Sequence, residues 1–202
     1  MSMHPADFNL EEVRSEWVGK LISESVGRYP VEYDAIRRHC HMTGDNNPLF
    51  LDPKFSKEHG PYGEVIVPPS VLAFYFSSNG PWPQRQKTEH EKKAHEKTAP
   101  GEKRRPSFTL GVPTPGDRGI NMGVELEFIE PIKVGDHLHA ELRVTDIFIK
   151  PIKLDPSAVW IVSEYSFLNQ RDAHVASWKN TTLVHRSPKQ IKADDLRDAG
   201  SA

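Results

Sequence analysis

Ile120-Asn121-Met122-Gly123-Val124-Glu125-Leu126-Glu127-Phe128-Ile129 alternates apolar and polar residues one for one. Met122, Val124, Leu126 and Phe128 fall on one side, and Asn121, Gly123, Glu125 and Glu127 on the other. A period of two belongs to an extended chain, whose successive side chains point to opposite faces. Residues 120–129 therefore read as a strand. Pro131 and the turn Val134-Gly135-Asp136 end it. The pattern returns over 137–149, with Leu138, Ala140, Leu142 and Val144 set against His137, His139, Glu141 and Arg143. Residues 159–168 and 174–184 give a third and a fourth long strand, joined by the polar loop Asn169-Gln170-Arg171-Asp172. Strands joined in succession by short loops imply an antiparallel sheet.

Upstream of the sheet, Ser70 to Ser78 carries Val71, Leu72, Ala73, Phe74, Tyr75 and Phe76. The stretch is apolar nearly all round, which marks a helix buried on most sides. Pro69 sits at or just before its first turn, where a missing N–H costs little. One buried helix followed by an antiparallel sheet is an α+β layout, with the sheet wrapped around the helix. Closer to the N-terminus, residues 9–20 read as an amphipathic helix capped by Asn9, with Leu10, Val13, Trp17 and Val18 on one face. A short strand is expected over 26–31. A helix is expected over 32–42, with Tyr33, Ile36 and Cys40 at helical spacing and Gly44 as its stop. Asp52 and Pro53 mark one further helical turn. Beyond His185 the chain reads as a charged tail over 186–202, with a last helical turn near 193–197. The reading is thus one domain over 1–185 with an insertion at about 79–119.

That insertion differs in character from the rest. Between Arg85 and Arg105 there are eight basic and four acidic residues. Such a segment cannot bury enough apolar surface to order itself alone. It reads either as a solvated insertion or as a flap facing phosphates. The 202-residue chain as a whole carries 26 basic and 28 acidic residues, so no global field points to nucleic acid. Cys40 is the only cysteine. An intramolecular disulfide and a cysteine metal cage are therefore ruled out, and a cytoplasmic location fits. Neither a membrane span nor a signal-peptide core is legible.

The remaining signal is Met42-Thr43-Gly44-Asp45-Asn46-Asn47-Pro48-Leu49-Phe50. Read alone, it is a polar turn: Gly44 tolerates positive φ, Asp45 and Asn46 favour capping geometry, and Pro48 blocks helix continuation. Read with Val65-Ile66-Val67-Pro68-Pro69, Glu125-Leu126-Glu127-Phe128 with Pro131, and Val134-Gly135-Asp136-His137-Leu138, it resembles the MaoC-like, or FAS1-like dehydratase, branch of the hot-dog superfamily over about 17–185. The resemblance implies a hot-dog fold, a long helix wrapped by a curved antiparallel sheet. It also implies side-by-side pairing with a second hot-dog subunit, and a tunnel for an acyl-CoA or acyl-carrier thioester between the two. Active relatives interconvert trans-2-enoyl and 3-hydroxyacyl thioesters, usually with R stereochemistry. No cofactor or metal is expected beyond the CoA or pantetheine carrier of the substrate.

The chemistry explains the family motif Gly-Asp-x-Asn-Pro-x-His. A carboxylate and an imidazole together orient and deprotonate water and deliver a proton to the neighbouring carbon. Backbone N–H groups stabilise the oxygen of the forming enolate. Here Gly44, Asp45, Asn47 and Pro48 match, but the histidine position is Phe50, which has no titratable proton. A second departure is Pro68-Pro69, where relatives carry His-Gly and offer a backbone N–H that proline lacks. Asp45 and Asn47 are thus carried over as the catalytic positions of a degenerate site. Phe50, Pro69, Ser70, Phe74, Tyr75, Arg104 and Arg105 are carried over as substrate-binding candidates, the two arginines toward CoA phosphates. Of the histidines, His41 and His59 lie nearest the motif and read as turn or surface residues. His137 and His139 share a strand face without a third metal ligand in view. Three readings stand: a catalytically degenerate partner in a heterodimeric hydratase or dehydratase, an active homodimer using Asp45 with another histidine, and a non-enzymatic acyl-CoA-binding module. A hot-dog thioesterase is a weaker fourth.

Overall fold

A computed structural model describes residues 3–69, 73–77 and 107–199 of the chain. Five strands form one antiparallel sheet: β1 (Leu21–Val26), β2 (Arg118–Phe128), β3 (His139–Ile149), β4 (Val159–Leu168) and β5 (His174–His185). Their order across the sheet is β1-β3-β4-β5-β2. Register shifts fall within β1, β2 and β3, and in the β4–β5 pairing next to Leu168. Such bulges add local twist and bend a sheet, and here they give it the expected curvature. The long strands lie where alternation placed them, with β4 matching its expected bounds. The inner face is set by Ala140, Leu142 and Val144 of β3 and by Val159, Ile161 and Phe167 of β4, all buried.

Helices cover that face from its two ends. Helix α1 (Leu10–Trp17) starts where Asn9 Oδ1 accepts from the Glu12 N–H, and it buries Val13 and Trp17. It is shorter than expected, because Val18 leaves it to bridge Val144 and Gly19 turns the chain at φ 81°. The Arg14 guanidinium holds the Asp146 carboxylate and the Ile147 carbonyl, fixing α1 against β3. Trp17, Val112, Leu142, Ile147 and Ile161 belong to the resulting apolar cluster. A second cluster is built on α2 (Tyr33–Thr43), which buries Ile36 and Cys40 four residues apart, together with Val65, Val67, Phe76, Leu138 and Phe167.

Three expectations need correction. The strand expected over 26–31 lies instead at Leu21–Val26, and the chain has left the sheet by Pro30. The reason is Gly27, whose N–H donates to the Leu138 carbonyl at 2.7 Å. A Cβ on Gly27 would lie 2.0 Å from the Phe76 carbonyl oxygen, so this close approach requires glycine. The buried helix expected over 70–78 is seen as α5 (Phe74–Ser77), and residues 70–72 and 78 lie outside the described residues. Ala73, Phe76 and Ser77 are buried, but Tyr75 is 70% exposed, edge-on to Phe76. The helix is therefore not covered all round. Finally, the expected tail contains a twelve-residue helix, α6 (Pro188–Ala199).

Its attachment is ionic. Arg186 is buried, and its side chain donates to Asp155 (2.8 and 3.2 Å) and to Asp194 of α6 (3.0 Å). The Arg186 N–H donates to Asp155 as well. Ser187 donates to Asp117 through N–H and hydroxyl, and its oxygen accepts from the Gln190 N–H at the start of α6. Burial alone would raise the Asp155 carboxyl. The hydrogen bonds from Arg186 and the Ser157 N–H outweigh it and hold this carboxyl below the usual carboxylate range. A carboxyl depressed in the folded state contributes stability above its unfolded value of about 3.9, and that stability is lost as pH falls through the folded value.

Asp155→Ala should destabilise the chain by about 3–5 kcal/mol in urea titrations at neutral pH, because Arg186 then remains buried without its main partner. The penalty should shrink below about pH 4, where the wild-type carboxyl also loses its charge. The double substitution Asp155→Leu with Arg186→Met should recover much of the loss.

Candidate functional site

The turn that carries Asp45 is built from backbone outward. Gly44 ends α2 at φ 71°, and both its N–H and that of Asp45 reach the Cys40 carbonyl. Asp45 is half-buried, and its Oδ1 accepts from the Asn47 N–H at 3.0 Å. Asn47 is exposed, and its Oδ1 accepts from the Leu49 N–H at 3.0 Å, capping α3 (Pro48–Leu51). Asp52 then caps α4 (Pro53–His59) through the Lys54 and Phe55 N–H groups, as the sequence implied. Both polar residues of the motif thus spend an oxygen on donors that the turn and helix start would otherwise leave unmet.

The histidine position of the motif is held by a packing residue. Phe50 is half-buried and lies against the cluster of Ile36, Cys40 and Val67. Among the described residues, no imidazole nitrogen stands within 4.0 Å of the Asp45 carboxylate. The histidine–carboxylate pairs are His4 with Asp198 and His139 with Asp172. His41 is exposed, and exposed His59 stacks on Phe55 at 4.5 Å between ring centroids. Burial, with a smaller push from the Asp45 carboxylate, raises the Cys40 thiol. Cys40 is therefore a protonated core residue rather than a nucleophile.

The other sequence candidates divide. Pro68 is buried and Pro69 exposed just after Val67, whose N–H donates to the Ile132 carbonyl. Tyr75, expected along an acyl tunnel, points to solvent. The Phe74 side chain, Ser70, Arg104 and Arg105 lie outside the described residues. His137 and His139 do not converge with other ligands, and no group of three or more His, Cys, Asp or Glu side chains among the described residues is placed to hold a metal. No helix among them is long and apolar enough to cross a membrane.

Two features were not legible in the motif. One is a cleft of about 420 Å3 on the inner face of the sheet, between the two apolar clusters, lined in part by Phe108, Tyr165, Trp178 and Asn180. The other is β2, an edge strand exposed along its whole length. Its Ile120, Met122, Val124, Leu126 and Phe128 are each 41–49% exposed. An apolar edge strand with free hydrogen-bonding groups is a pairing surface.

A family model described as the FAS1-like, dehydratase domain region matches residues 16–178. Among solved structures, the ChsH1-ChsH2 complex from Mycobacterium tuberculosis aligns with a TM-score of 0.58 at 16% identity, over 89% of this chain and 95% of that one. The monoamine oxidase regulatory protein from Archaeoglobus fulgidus gives a TM-score of 0.54 at 15% identity, over 93% and 97%. The MaoC-like dehydratase from Rhodospirillum rubrum gives 0.50 at 23% identity, over 93% and 99%. The fold is the hot-dog fold that the sequence resemblance implied. No curated protein matches the sequence significantly.

Asn47→Ala should lower stability by about 1 kcal/mol in chemical denaturation, through loss of the α3 cap, whereas Asn47→Asp should be near neutral.

Proposed function

This chain belongs to the FAS1-like dehydratase family, and on that premise we propose that it is the catalytically silent subunit of an assembly that interconverts trans-2-enoyl and 3-hydroxyacyl thioesters. The observation that carries the reading is the Asp45 carboxylate, bonded to the Asn47 N–H with no imidazole of the described residues in reach, while Phe50 packs against the core. Hydration of an enoyl thioester needs a base for water, an acid for the neighbouring carbon and a donor for the thioester oxygen. Asp45 alone is a weak base held in a turn. At the approach to α5, Pro68 and Pro69 have no N–H to give.

The chemistry is therefore supplied by a second hot-dog subunit that carries Gly-Asp-x-Asn-Pro-x-His. The present chain contributes wall to the acyl channel. Its partner docks along β2, where antiparallel pairing would satisfy the free edge and cover Val124, Leu126 and Phe128. The inner face of an antiparallel pair is shared by directly opposed residues, so these three side chains continue the row begun by Asn180, Trp178 and Ala176 of β5. Pairing at this edge extends one apolar surface from subunit to subunit. Arg104 and Arg105 are assigned to the CoA phosphates, for which guanidinium groups are suited. The thioester carrier is the only group required besides the acyl chain.

The chain alone should not hydrate crotonyl-CoA in a spectrophotometric assay, and turnover should appear when a motif-bearing hot-dog subunit is added. In that assembly Asp45→Asn should change the rate less than about twofold. A loss of roughly a hundredfold or more would make Asp45 a working acid–base group and end the reading. Leu126→Lys should abolish association in sedimentation runs while leaving the melting temperature of the lone chain nearly unchanged, because the side chain is already half in water.

A further inference from the structure

The inner face of the sheet is apolar at both ends and polar in the middle. Register sets Asn121 of β2 opposite Thr182 of β5, and Asn180 of β5 opposite Ser163 of β4. Directly opposed residues share a face, and so do residues two apart on one strand. The four side chains therefore form one patch across three adjacent strands, and all four line the cleft of about 420 Å3. Apolar neighbours flank the patch on both sides, with Phe167 and Ala176 in one direction and Ile161 and Val184 in the other.

Hydrogen-bond accounting shows what the patch lacks. Asn180 Nδ2 donates to Thr182 Oγ1 at 3.1 Å, which fixes the orientation of the amide. Asn180 Oδ1 is buried and accepts nothing. Ser163 is only 6% exposed, and among the described residues its hydroxyl makes no hydrogen bond. Asn121 Oδ1 is occupied by the Gly123 N–H, which leaves its amide hydrogens for the cleft. A buried acceptor without a donor is costly, and it stands beside an uncommitted hydroxyl on the wall of a cavity of ligand size. No charged side chain is among the described residues of the lining. A carboxylate or a phosphate would find no counter-charge among these residues, which suit a neutral occupant. Trp178, Tyr165 and Phe108 supply broad apolar walls for its carbon skeleton.

We propose that this cleft receives the far end of the acyl group and selects acyl chains that carry a neutral hydroxyl there, the hydroxyl donating to Asn180 Oδ1 and accepting from Ser163. The inference rests on the reading that the assembly handles acyl thioesters. It adds that the silent subunit reads an oxygen remote from the thioester.

The test uses the full chain and two series of saturated, medium- and long-chain acyl-CoAs, one with a terminal hydroxyl and one without. Saturated thioesters cannot be hydrated, so titration calorimetry separates binding from turnover. At the chain length that reaches Asn180, the hydroxylated ligand should bind roughly tenfold more tightly, the effect of one well-made buried hydrogen bond. Asn180→Leu should erase that preference, bringing the two series to the same affinity, and Ser163→Ala should reduce it. Thermal melts report whether Asn180→Leu folds, and Ser163→Ala, which only removes an oxygen, carries the test if it does not. Equal affinity at every length, binding of neither series, or a preference that survives both substitutions overturns the proposal. If the hydroxyl preference holds and no pairing of subunits ever turns over an enoyl thioester, the hydratase reading fails and the cleft assignment stands. Turnover without the preference gives the reverse.

Discussion

A sheet with one apolar face must be covered across its whole width, and the cover here is uneven. Helix α1 and Trp17 seal one end, and α2 with Phe76 and Val67 seals the other. The middle carries polar residues and an open cleft, and among the described residues the edge strand β2 has no neighbour on its outer side. Each consequence for function follows from this distribution. Among the described residues, the open middle and the free edge are places where something from outside the chain can be accommodated without disturbing either cluster.

The motif turn illustrates how a residue can match a catalytic pattern for a local reason. Asp45 and Asn47 each satisfy a backbone N–H two residues on, in the turn that joins α2 to α3. Those bonds exist whether or not water is ever activated nearby. What separates a catalytic carboxylate from a turn carboxylate is its partner, and the position that would supply one is a half-buried phenyl ring packed against the cluster of Ile36 and Cys40. Replacing an imidazole by a phenyl removes the proton carrier, yet it adds apolar area to the cluster that anchors α2.

Much of this was legible in the sequence because it depends on neighbours along the chain. The Asn9 and Asp52 caps, the stop at Gly44 and the alternation of β3, β4 and β5 are local effects, and the structure places them where the residues point. The misses are contacts between distant positions. β1 was misplaced because its end is decided by the approach of Phe76 to Gly27, which no window around Gly27 reveals. Helix α6 read as a tail because its anchor is Arg186 bonded to Asp155, a pair that only the folded sheet brings together. The charged residues of such a segment look like solvent-facing decoration until the buried Arg186 guanidinium is seen to hold Asp194 in the middle of the helix.

The cleft is the extreme case. Asn121, Ser163, Asn180 and Thr182 belong to three strands, and only the register of β2, β4 and β5 sets them side by side. In sequence, each reads as an ordinary polar residue within a strand. On the face of the sheet they interrupt a core that apolar residues would have filled at no cost in unmet hydrogen bonds. A fold that needed only a helix cover would be more stable with valine at 163, 180 and 182, since Val159, Ile161 and Val184 already line the same face. The polar patch therefore works against stability. The chain thus carries packing where the motif has an imidazole, at Phe50, and polarity where the sheet face is otherwise apolar, at Ser163, Asn180 and Thr182.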